Sequence, residues 1–344
     1  MRRLDALGVK DRSSGVLTHS ALLKGDIMTD LELTDERIKL AFYFALGRYP
    51  ENARVIERCY QFKTLENLRS VIHSSFEYKS RIWKQNRHSV AQKTLPQIIA
   101  LEEGENGSAK DALLIFQTCD NSKYVLFLQH TSRTVIEYVK NTSFQYEMFI
   151  GIKRGKYPHH AMFNRIYKLH EYIAAGATGW VLYMDADAYI YDLNFDVMQF
   201  LSDKKQYAFI YAKAIDDEKT PAWNINDGVF FANLSHPVCK YVLREWKAFY
   251  DNLYNDSDYA DAANWDDIIN DQTSLHDILQ VPIVERYLHS SHENLRLFNS
   301  REGTFIRQVL RTDHRSADND TFQDRLARIA NDVNNVLERG KSIR

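Results

Sequence analysis

The chain has 344 residues, of which 44% are hydrophobic; this length favours two or three domains with ample apolar material for their cores. Its 44 basic and 46 acidic residues give a formal net charge of −2, which argues against a dedicated nucleic-acid-binding protein. Three separated cysteines, no apolar run of membrane-spanning length and no signal-peptide core predict a cytoplasmic protein without a disulfide framework or a zinc site.

The N-terminal part of the chain is predicted to be helical and to carry no catalytic residues. Residues 1–30 are polar and aperiodic, which indicates a flexible leader. Over residues 31–90, capping residues such as Thr34 and apolar residues at helical spacing predict a small all-α module. A polar stretch over residues 91–110 then predicts a connector.

The pattern changes after this connector to alternating strands and helices. Apolar runs at 113–118, 146–150 and 180–184, separated by helical segments, predict a parallel α/β sheet. We assign residues 111–315 to this domain and residues 316–344 to an amphipathic C-terminal helix packed on its outside. Ligands of such sheets collect at the carboxyl ends of the strands.

The segment 180–191 holds two carboxylates within an apolar run, Asp185 and Asp187. The run predicts a strand buried on both faces, and burying two neighbouring carboxylates is costly unless a cation neutralises them. We therefore expect the acids at the end of the strand, where they bind a divalent metal through oxygen ligands. Two solvated acids at a strand end are the alternative. Tyr189 at a ligand position and Ile190 in place of glycine exclude an EF-hand loop.

Further polar residues lie at predicted element boundaries. Asp120 follows the first strand, at the same edge of the sheet as the acid pair, although an aspartate that forms a turn is the competing interpretation. A strand containing glycine begins near Asn226, and a helix begins at Asp271. At that helix start the alternative role of Asp271 is N-capping.

Together these features resemble the retaining glycosyltransferases of GT-A fold, a Rossmann-like fold for nucleotide-diphospho-sugar transferases. The glycogenin-like group and the galactosyl-, mannosyl- and xylosyltransferases belong to them. The resemblance covers roughly residues 112–312 and depends on four signals in order, Asp185-Ala186-Asp187 with Lys168 before it and Asn226-Asp227-Gly228-Val229 and Asp271-Gln272 after it. In the helical module, Leu46–Pro50 and Ser74–Glu77 resemble short repeats appended to bacterial surface-sugar enzymes.

The resemblance implies a metal-dependent enzyme of polysaccharide biosynthesis. It would move a hexose or pentose, with retention of configuration, from a UDP- or GDP-sugar to a glycan, a lipid-linked acceptor or another hydroxyl group. No membrane span is implied, and peripheral contact with a membrane is compatible with this activity. Mn²⁺ or Mg²⁺ would neutralise the departing diphosphate. The residues implied to act in catalysis are Gln272, Asp271 and Lys168. Those implied to bind substrate are Thr118, Asp120, Asn164, Asn226, Gly228, Arg307 and Arg311.

Several of these residues also fit purely structural roles. Lys168 fits a solvated helix lysine, and Asn226 with Gly228 fits a structural turn. The sequence departs from the family at the third metal ligand. Relatives carry a histidine in a late Phe-Ile-x-His segment, where this chain has Gln308. We therefore expect the metal ligands Asp185, Asp187 and His314, with Gln308, or phosphate and water, as alternatives to the histidine.

Two other functions fit parts of the pattern. An apolar strand with Asp-x-Asp also begins the haloacid-dehalogenase phosphatases, although there the motif ends in Thr or Val and lies on the first strand. A nucleotide-sugar-binding protein without catalytic turnover is the second alternative, because the family histidine is replaced.

Overall fold

The computed structural model describes residues 32–103, 112–215, 217, 219–310 and 321–342. It divides into two units, Met1–Ile82 and Trp83–Arg344. The predicted leader lies outside the described residues, and so does the part of the predicted connector from 104 to 110.

The first unit is helical, as the sequence predicts. Its helices are α1 (Asp35–Leu46), α2 (Ala53–Cys59), α3 (Leu65–Ser74) and the start of α4 (Phe76–Glu103). The Thr34 hydroxyl accepts a hydrogen bond from the Arg37 amide and so caps α1, which ends at Gly47 with a left-handed φ of 74°. Helix α4 continues to Glu103, through residues for which the sequence predicts a connector.

The second unit alternates strands and helices. Its strands are β1 (Leu113–Cys119), β2 (Gln145–Ile150), β3 (Trp180–Asp185), β4 (Ala188–Ile190), β5 (Phe209–Lys213), β6 (Ile225–Asn233), β7 (Leu288–Ser291) and β8 (Ile306–Gln308). Its further helices are α5 (Val125–Val139), α6 (Asn164–Ala174), α7 (Val197–Leu201), α8 (Pro237–Leu253), α9 (Asp256–Asp261), α10 (Asp271–Leu279), α11 (Pro282–Glu285), α12 (His292–Leu297) and α13 (Phe322–Ser342).

Within the described residues the main sheet has six strands in the order β2-β1-β3-β6-β5-β7. Strand β1 is parallel to β2 and β3, whereas β6 is antiparallel to β3 and β5. The parallel arrangement predicted for the first three strands is therefore confirmed, and so is the α/β fold class with a preceding helical module. Strands β4 and β8 pair antiparallel in a second sheet.

The acid pair lies where β3 leaves the main sheet. Residues Trp180 to Met184 are buried, and Asp185 is the last residue of the strand. Asp187 lies in the turn between β3 and β4. Strand β8 pairs with β4, which brings Gln308, the last residue of β8, opposite Ala188 and next to this turn.

Helix α13 packs against α5, and its residues Ile329, Val333 and Val336 share a core with Ala186 and Tyr189. This helix therefore belongs to the core around the acid pair and does not merely cover the outside. Among the helices that the structure describes, none has the length and apolar character needed to cross a bilayer.

Candidate functional site

A cavity of about 830 Å³ opens at the carboxyl ends of β1 and β3. The acid pair lies on its wall, and the start of α10 contributes Asn270, Asp271 and Gln272. A cavity at this edge of an α/β sheet is the expected place for a ligand, and its size suits a small molecule.

The two carboxylates of the acid pair are bridged by one amide. The Gln308 Nε2 atom donates to Asp185 Oδ2 at 3.1 Å and to Asp187 Oδ1 at 3.0 Å. This contact joins the acid at the strand end to the acid in the turn. Asp187 is buried with a side chain that is 9% exposed, whereas that of Asp185 is 27% exposed.

Arg165 is the charged centre of the site. From the first turn of α6 its guanidinium contacts Asp185 Oδ1 at 2.9 Å, Asp227 Oδ1 at 3.3 Å and Asp271 Oδ2 at 3.0 Å. Its Cζ lies 4.5 Å from the centroid of the Tyr183 ring, and the Tyr183 hydroxyl donates to Asp185 at 2.7 Å. One buried cation thus holds carboxylates from β3, β6 and α10 in fixed positions.

Burial and mutual repulsion affect the protonation of these carboxyl groups. Burial raises the pKa of Asp227 well above its ordinary value, and the neighbouring Asp271 and Asp185 raise it further, although Arg165 opposes the rise. Burial also raises the pKa of Asp271, again against the attraction of Arg165. The carboxyl groups of Asp185, Asp227 and Asp271 therefore share one arginine, and burial favours the protonated form of the latter two.

A second buried arginine reaches the acid pair from α13. Arg325 is 4% exposed, and its Nη2 donates to Asp187 Oδ2 and to the Val309 carbonyl, the latter at 2.7 Å. Further along the same helix, Asp332 accepts from the Tyr189 hydroxyl at 2.8 Å and Arg339 donates to the Tyr191 hydroxyl at 3.1 Å. Three side chains along α13 thus form hydrogen bonds to the segment 187–191.

Three of the predicted substrate-binding residues surround the end of β1. Thr118 and Asp120 line the cavity. Asp120 Oδ1 accepts from the amides of Ser122 and Lys123 at 2.7 and 2.6 Å, so the predicted alternative of a turn-forming aspartate also describes it. Burial by itself would raise the pKa of Asp120. The hydrogen bonds that its carboxylate accepts from Ser122, Lys123 and Tyr124 outweigh burial, so the pKa lies below its ordinary value. Asn164 lies behind the wall, where it donates to Thr118 at 2.9 Å.

Four further predicted residues lie on β6 and at the start of α10. Asn226 lines it, and its Oδ1 accepts from the Gly228 amide at 3.0 Å. Gln272 lines it as well, with its Oε1 3.4 Å from the Asp227 amide. Asp271 faces Arg165 and is not the N-cap of α10, because that role belongs to Asn270. Gly228 lies against Gln308.

Two of the predicted basic residues point away from the cavity. Lys168 pairs with Glu147 at 2.5 Å and Glu171 at 3.4 Å, and its side chain is 13% exposed, so it is not the solvated helix lysine of the alternative interpretation. Arg307 stacks on Tyr191, with 3.4 Å from its Cζ to the ring centroid. Arg311 and His314 lie outside the described residues.

Sequence reasoning missed Arg165 and Arg325, which contact the acids. Arg165 lies one turn before Lys168 and next to the apolar face of α6. A buried arginine in such a position needs acidic partners, because a buried charge without a partner is costly. The position of Arg165 in the helix pattern could therefore have been recognised from the sequence. Arg325 gave no such signal, because its helix carries many charged residues at helical spacing.

The residues present fit a divalent cation. Asp185 and Asp187 bring two carboxylates to the cavity wall, and the buried Gln308 Oε1 beside them accepts no hydrogen bond. Carboxylate and amide oxygens are ligands that Mg²⁺ and Mn²⁺ accept. Within the described residues no group of three His, Cys, Asp or Glu side chains lies together, so a cation held by the acid pair would take its further ligands from another group, such as the Gln308 amide, phosphate or water.

Comparisons with known proteins place the chain near glycosyltransferases of known structure. No protein-family model matches the chain, and no curated protein sequence matches it. One similar structure is a glycosyltransferase involved in the glycosylation of the major capsid of PBCV-1, with 14% identity and a TM-score of 0.45 over 63% of this chain and 98% of that chain. Another is the galactosyltransferase LgtC in complex with donor and acceptor sugar analogues, with 14% identity and a TM-score of 0.39 over 63% of this chain and 95% of that chain.

A third similar structure is the bifunctional glycosyltransferase WbbM, with 10% identity and a TM-score of 0.35 over 68% of this chain and 52% of that chain. None of the three TM-scores reaches one half, so the functional argument depends on the residues of the site itself.

Proposed function

We propose that the protein is a metal-dependent glycosyltransferase that moves a hexose or pentose from a nucleotide-diphosphate sugar to a hydroxyl acceptor with retention of configuration. One observation carries the proposal: the acid pair faces a cavity of about 830 Å³ whose wall also holds Asp271 and Gln272. Hard ligands for a cation thus lie beside polar groups suited to a sugar.

The donor is proposed to lie along the cavity from the end of β1 to the start of α10. The nucleoside end is assigned to Thr118, Asp120 and Tyr124, which line the part of the wall contributed by β1 and the start of α5. The diphosphate is assigned to the acid pair, where a bound Mn²⁺ or Mg²⁺ would supply Lewis-acid neutralisation of the leaving group.

The sugar is assigned to the residues that Arg165 organises. Since Arg165 pairs with Asp271, the carboxylate is held in one orientation and is available to accept hydrogen bonds from sugar hydroxyls. Gln272 is assigned the position nearest the anomeric carbon. A neutral amide there favours attack by the acceptor on the same face as the leaving group, and a glycosyl adduct trapped on Asp271 would contradict this mechanism.

The acceptor is proposed to bind against the aromatic wall formed by Trp265 and His159. Both residues line the cavity, their ring centroids lie 6.1 Å apart, and Trp265 is 42% exposed. Flat rings bury the apolar faces of sugar rings. Trp265→Ala should raise the KM for a glycan acceptor and leave the slow hydrolysis of the donor by water unchanged; equal loss of both would remove Trp265 from this role.

The function is tested with a panel of nucleotide sugars, with and without Mn²⁺, scored by thermal shift and by release of nucleoside diphosphate. We expect one UDP- or GDP-sugar to stabilise the protein and to be turned over. Asp187→Ala should abolish the metal-dependent part of the shift, whereas Asp203→Ala, a change at an exposed acid with 76% of its side chain accessible, should leave it intact.

The same panel separates the two alternatives. Release of phosphate from simple phosphomonoesters without any nucleotide would favour the phosphatase. A nucleophilic Asp185 is disfavoured because its Oδ1 accepts from Tyr183 and its Oδ2 from Gln308. Binding of a nucleotide sugar without hydrolysis or transfer would favour a binding protein without turnover.

A further inference from the structure

Two arginines contact one tyrosine ring outside the cavity. The Cζ atom of Arg307 lies 3.4 Å from the centroid of the Tyr191 ring, and the Cζ atom of Arg339 lies 4.5 Å from it. Tyr191 directly follows β4, Arg307 is the middle residue of β8, and Arg339 lies in the last turn of α13. None of these three residues lines the cavity that holds the acid pair. The fold thus brings two positive charges from distant segments to a second place.

The geometry of β8 separates this ring from the acids. Ile306 and Gln308 are buried, whereas Arg307 between them is partly exposed. Since successive side chains of a strand point to opposite faces, Arg307 lies on the face opposite to Gln308 and its acids. The sequence resemblance assigns Arg307 to the donor, but its position on β8 directs it away from the donor cavity.

Neither guanidinium pairs with a carboxylate in the part of the chain that the structure describes. Arg307 Nε donates to the Gly303 carbonyl at 3.2 Å, and Arg339 Nη1 donates to the Tyr191 hydroxyl at 3.1 Å, so both use neutral acceptors. Other arginines of the same unit do pair with acids, among them Arg87, Arg154, Arg165 and Arg325. The two arginines at Tyr191 differ from these in having no anionic partner among the described residues.

Two acids lie close to this place in the structure or in the sequence. Asp332 of α13 accepts from the Tyr189 hydroxyl at 2.8 Å, and Asp192 accepts from the Asn194 amide at 2.9 Å. Among the contacts of the described residues, neither acid forms an ion pair with the two arginines. Their carboxylates bind other donors, and the guanidinium groups keep N–H donors for a charged acceptor.

The Tyr191 hydroxyl shows that both positive charges act at one point. The hydrogen bond from Arg339 lowers the pKa of Tyr191 below its ordinary value, and the charges of Arg307 and Arg339 lower it further, although burial opposes this. Two like charges at one ring repel each other, so an anion that contacts both is attracted. Stacking on the ring orients the planar forks before a ligand arrives, which lowers the entropy cost of binding.

We propose that Arg307 and Arg339, aligned by the ring of Tyr191, form a binding site for a phosphate group that is separate from the cavity. Guanidinium forks match the oxygens of phosphate and bind them through parallel, charge-assisted hydrogen bonds. The phosphate belongs either to a phospholipid headgroup or to a soluble phosphate compound. The inference does not depend on the proposed transferase, because none of its three residues lines the cavity.

The site is tested by NMR of the full chain labelled with ¹⁵N-arginine and titrated with inorganic phosphate at constant ionic strength. We expect the Nε–Hε resonances that Arg307→Met and Arg339→Met lack to shift together in the wild type, with one Kd in the millimolar range. Each of these variants should bind phosphate roughly tenfold more weakly, as followed by the remaining arginine, because one fork is lost.

The matched control is Arg133→Met, the same loss of charge at an exposed arginine of α5 that donates to Asn334 Oδ1 at 2.9 Å. It should bind phosphate like the wild type. Asp187→Ala changes the cavity and should also leave the two shifts intact. Loss of the shifts in Asp187→Ala would place the phosphate in the cavity and overturn the separate site.

The role of the ring is tested at Tyr191. Tyr191→Leu keeps both charges and removes the surface that aligns them, so phosphate affinity should fall roughly three- to tenfold. Tyr191→Phe keeps the ring and should bind within about twofold of the wild type. An affinity of Tyr191→Leu equal to that of the wild type would contradict alignment by the ring.

Vesicles distinguish the two sources of phosphate. Cosedimentation of the wild type, but not of Arg307→Met, with vesicles that contain phosphatidylglycerol would support a lipid headgroup. Resonance shifts with phosphate and no cosedimentation would support a soluble phosphate compound. Unshifted resonances together with no cosedimentation, or equal phosphate affinities of Arg307→Met and Arg133→Met, would overturn the proposal and leave the proposed transferase untouched.

Discussion

Replacement of Arg325 by methionine should make the stability of the protein depend on a divalent cation. Arg325 is 4% exposed. Its guanidinium pairs with Asp187 and donates to the Val309 carbonyl from Nε at 3.1 Å and from Nη2 at 2.7 Å. Methionine preserves much of the packing against Phe127 but leaves the Asp187 carboxylate without its cation. Removing one partner of a buried ion pair costs about 3–5 kcal/mol.

For a unit of this size each kcal/mol lowers Tm by roughly 2–4 °C, so the loss of about 3–5 kcal/mol should lower Tm by roughly 6–20 °C without metal. The assay is thermal unfolding by circular dichroism in a chelator and in excess Mn²⁺. A cation bound at Asp187 replaces the missing charge, so Mn²⁺ should raise the Tm of Arg325→Met by more than it raises that of the wild type.

The control is Arg339→Met, the same change on the same helix, where the exposed guanidinium stacks on Tyr191 with 4.5 Å from Cζ to the ring centroid. It should cost about 1 kcal/mol or less and leave the Mn²⁺ effect as in the wild type. An equal Mn²⁺ effect in Arg325→Met and the wild type would refute the reasoning, because Asp187 would then not bind the cation.

Three further predictions follow from the site. Arg165→Lys removes the fork that contacts three carboxylates, so Mn²⁺ affinity should fall by roughly 10- to 100-fold, whereas Lys168→Met outside the cavity should leave it unchanged; titration calorimetry measures both. Asp271→Asn should lower kcat for transfer more than it changes Mn²⁺ affinity, and equal effects on both would assign it to the metal instead. Asp120, whose pKa is lowered in the folded state, stabilises the protein above the pKa of an unfolded aspartate, about 3.9, and loses this effect as the pH falls further; the deficit of Asp120→Asn in urea unfolding should therefore shrink below about pH 4, and a deficit independent of pH would contradict it.

The local pattern of the sequence was sufficient for the elements that carry the site. The apolar run that ends at Asp185 predicted a buried strand with acids at its end, and the polar start of α10 predicted a helix at Asp271. Both follow from periodicity and capping, which act over a few residues. The end of α4 was missed although Ala91, Leu95 and Ile99 recur at helical spacing and are buried, and Pro96 lies inside the helix.

Which side chains meet at the acids was decided by tertiary structure. Sequence order placed Lys168 on the correct helix, but the rotation of α6 against the sheet directs Arg165 inward and Lys168 toward Glu147.

The sequence by itself determined the order of strands and helices, the edge of the sheet where the acids lie and the need for positive charge beside them, because those properties depend on neighbouring residues. Only the tertiary structure decided that Arg165 and Arg325 supply this charge and that the neutral amide of Gln308 bridges the two acids. Arg325 and Asp187 are 138 residues apart, and Gln308 and Asp187 are 121 apart. Contacts at such separations arise from the packing of helices and strands, and no local pattern of residues encodes them.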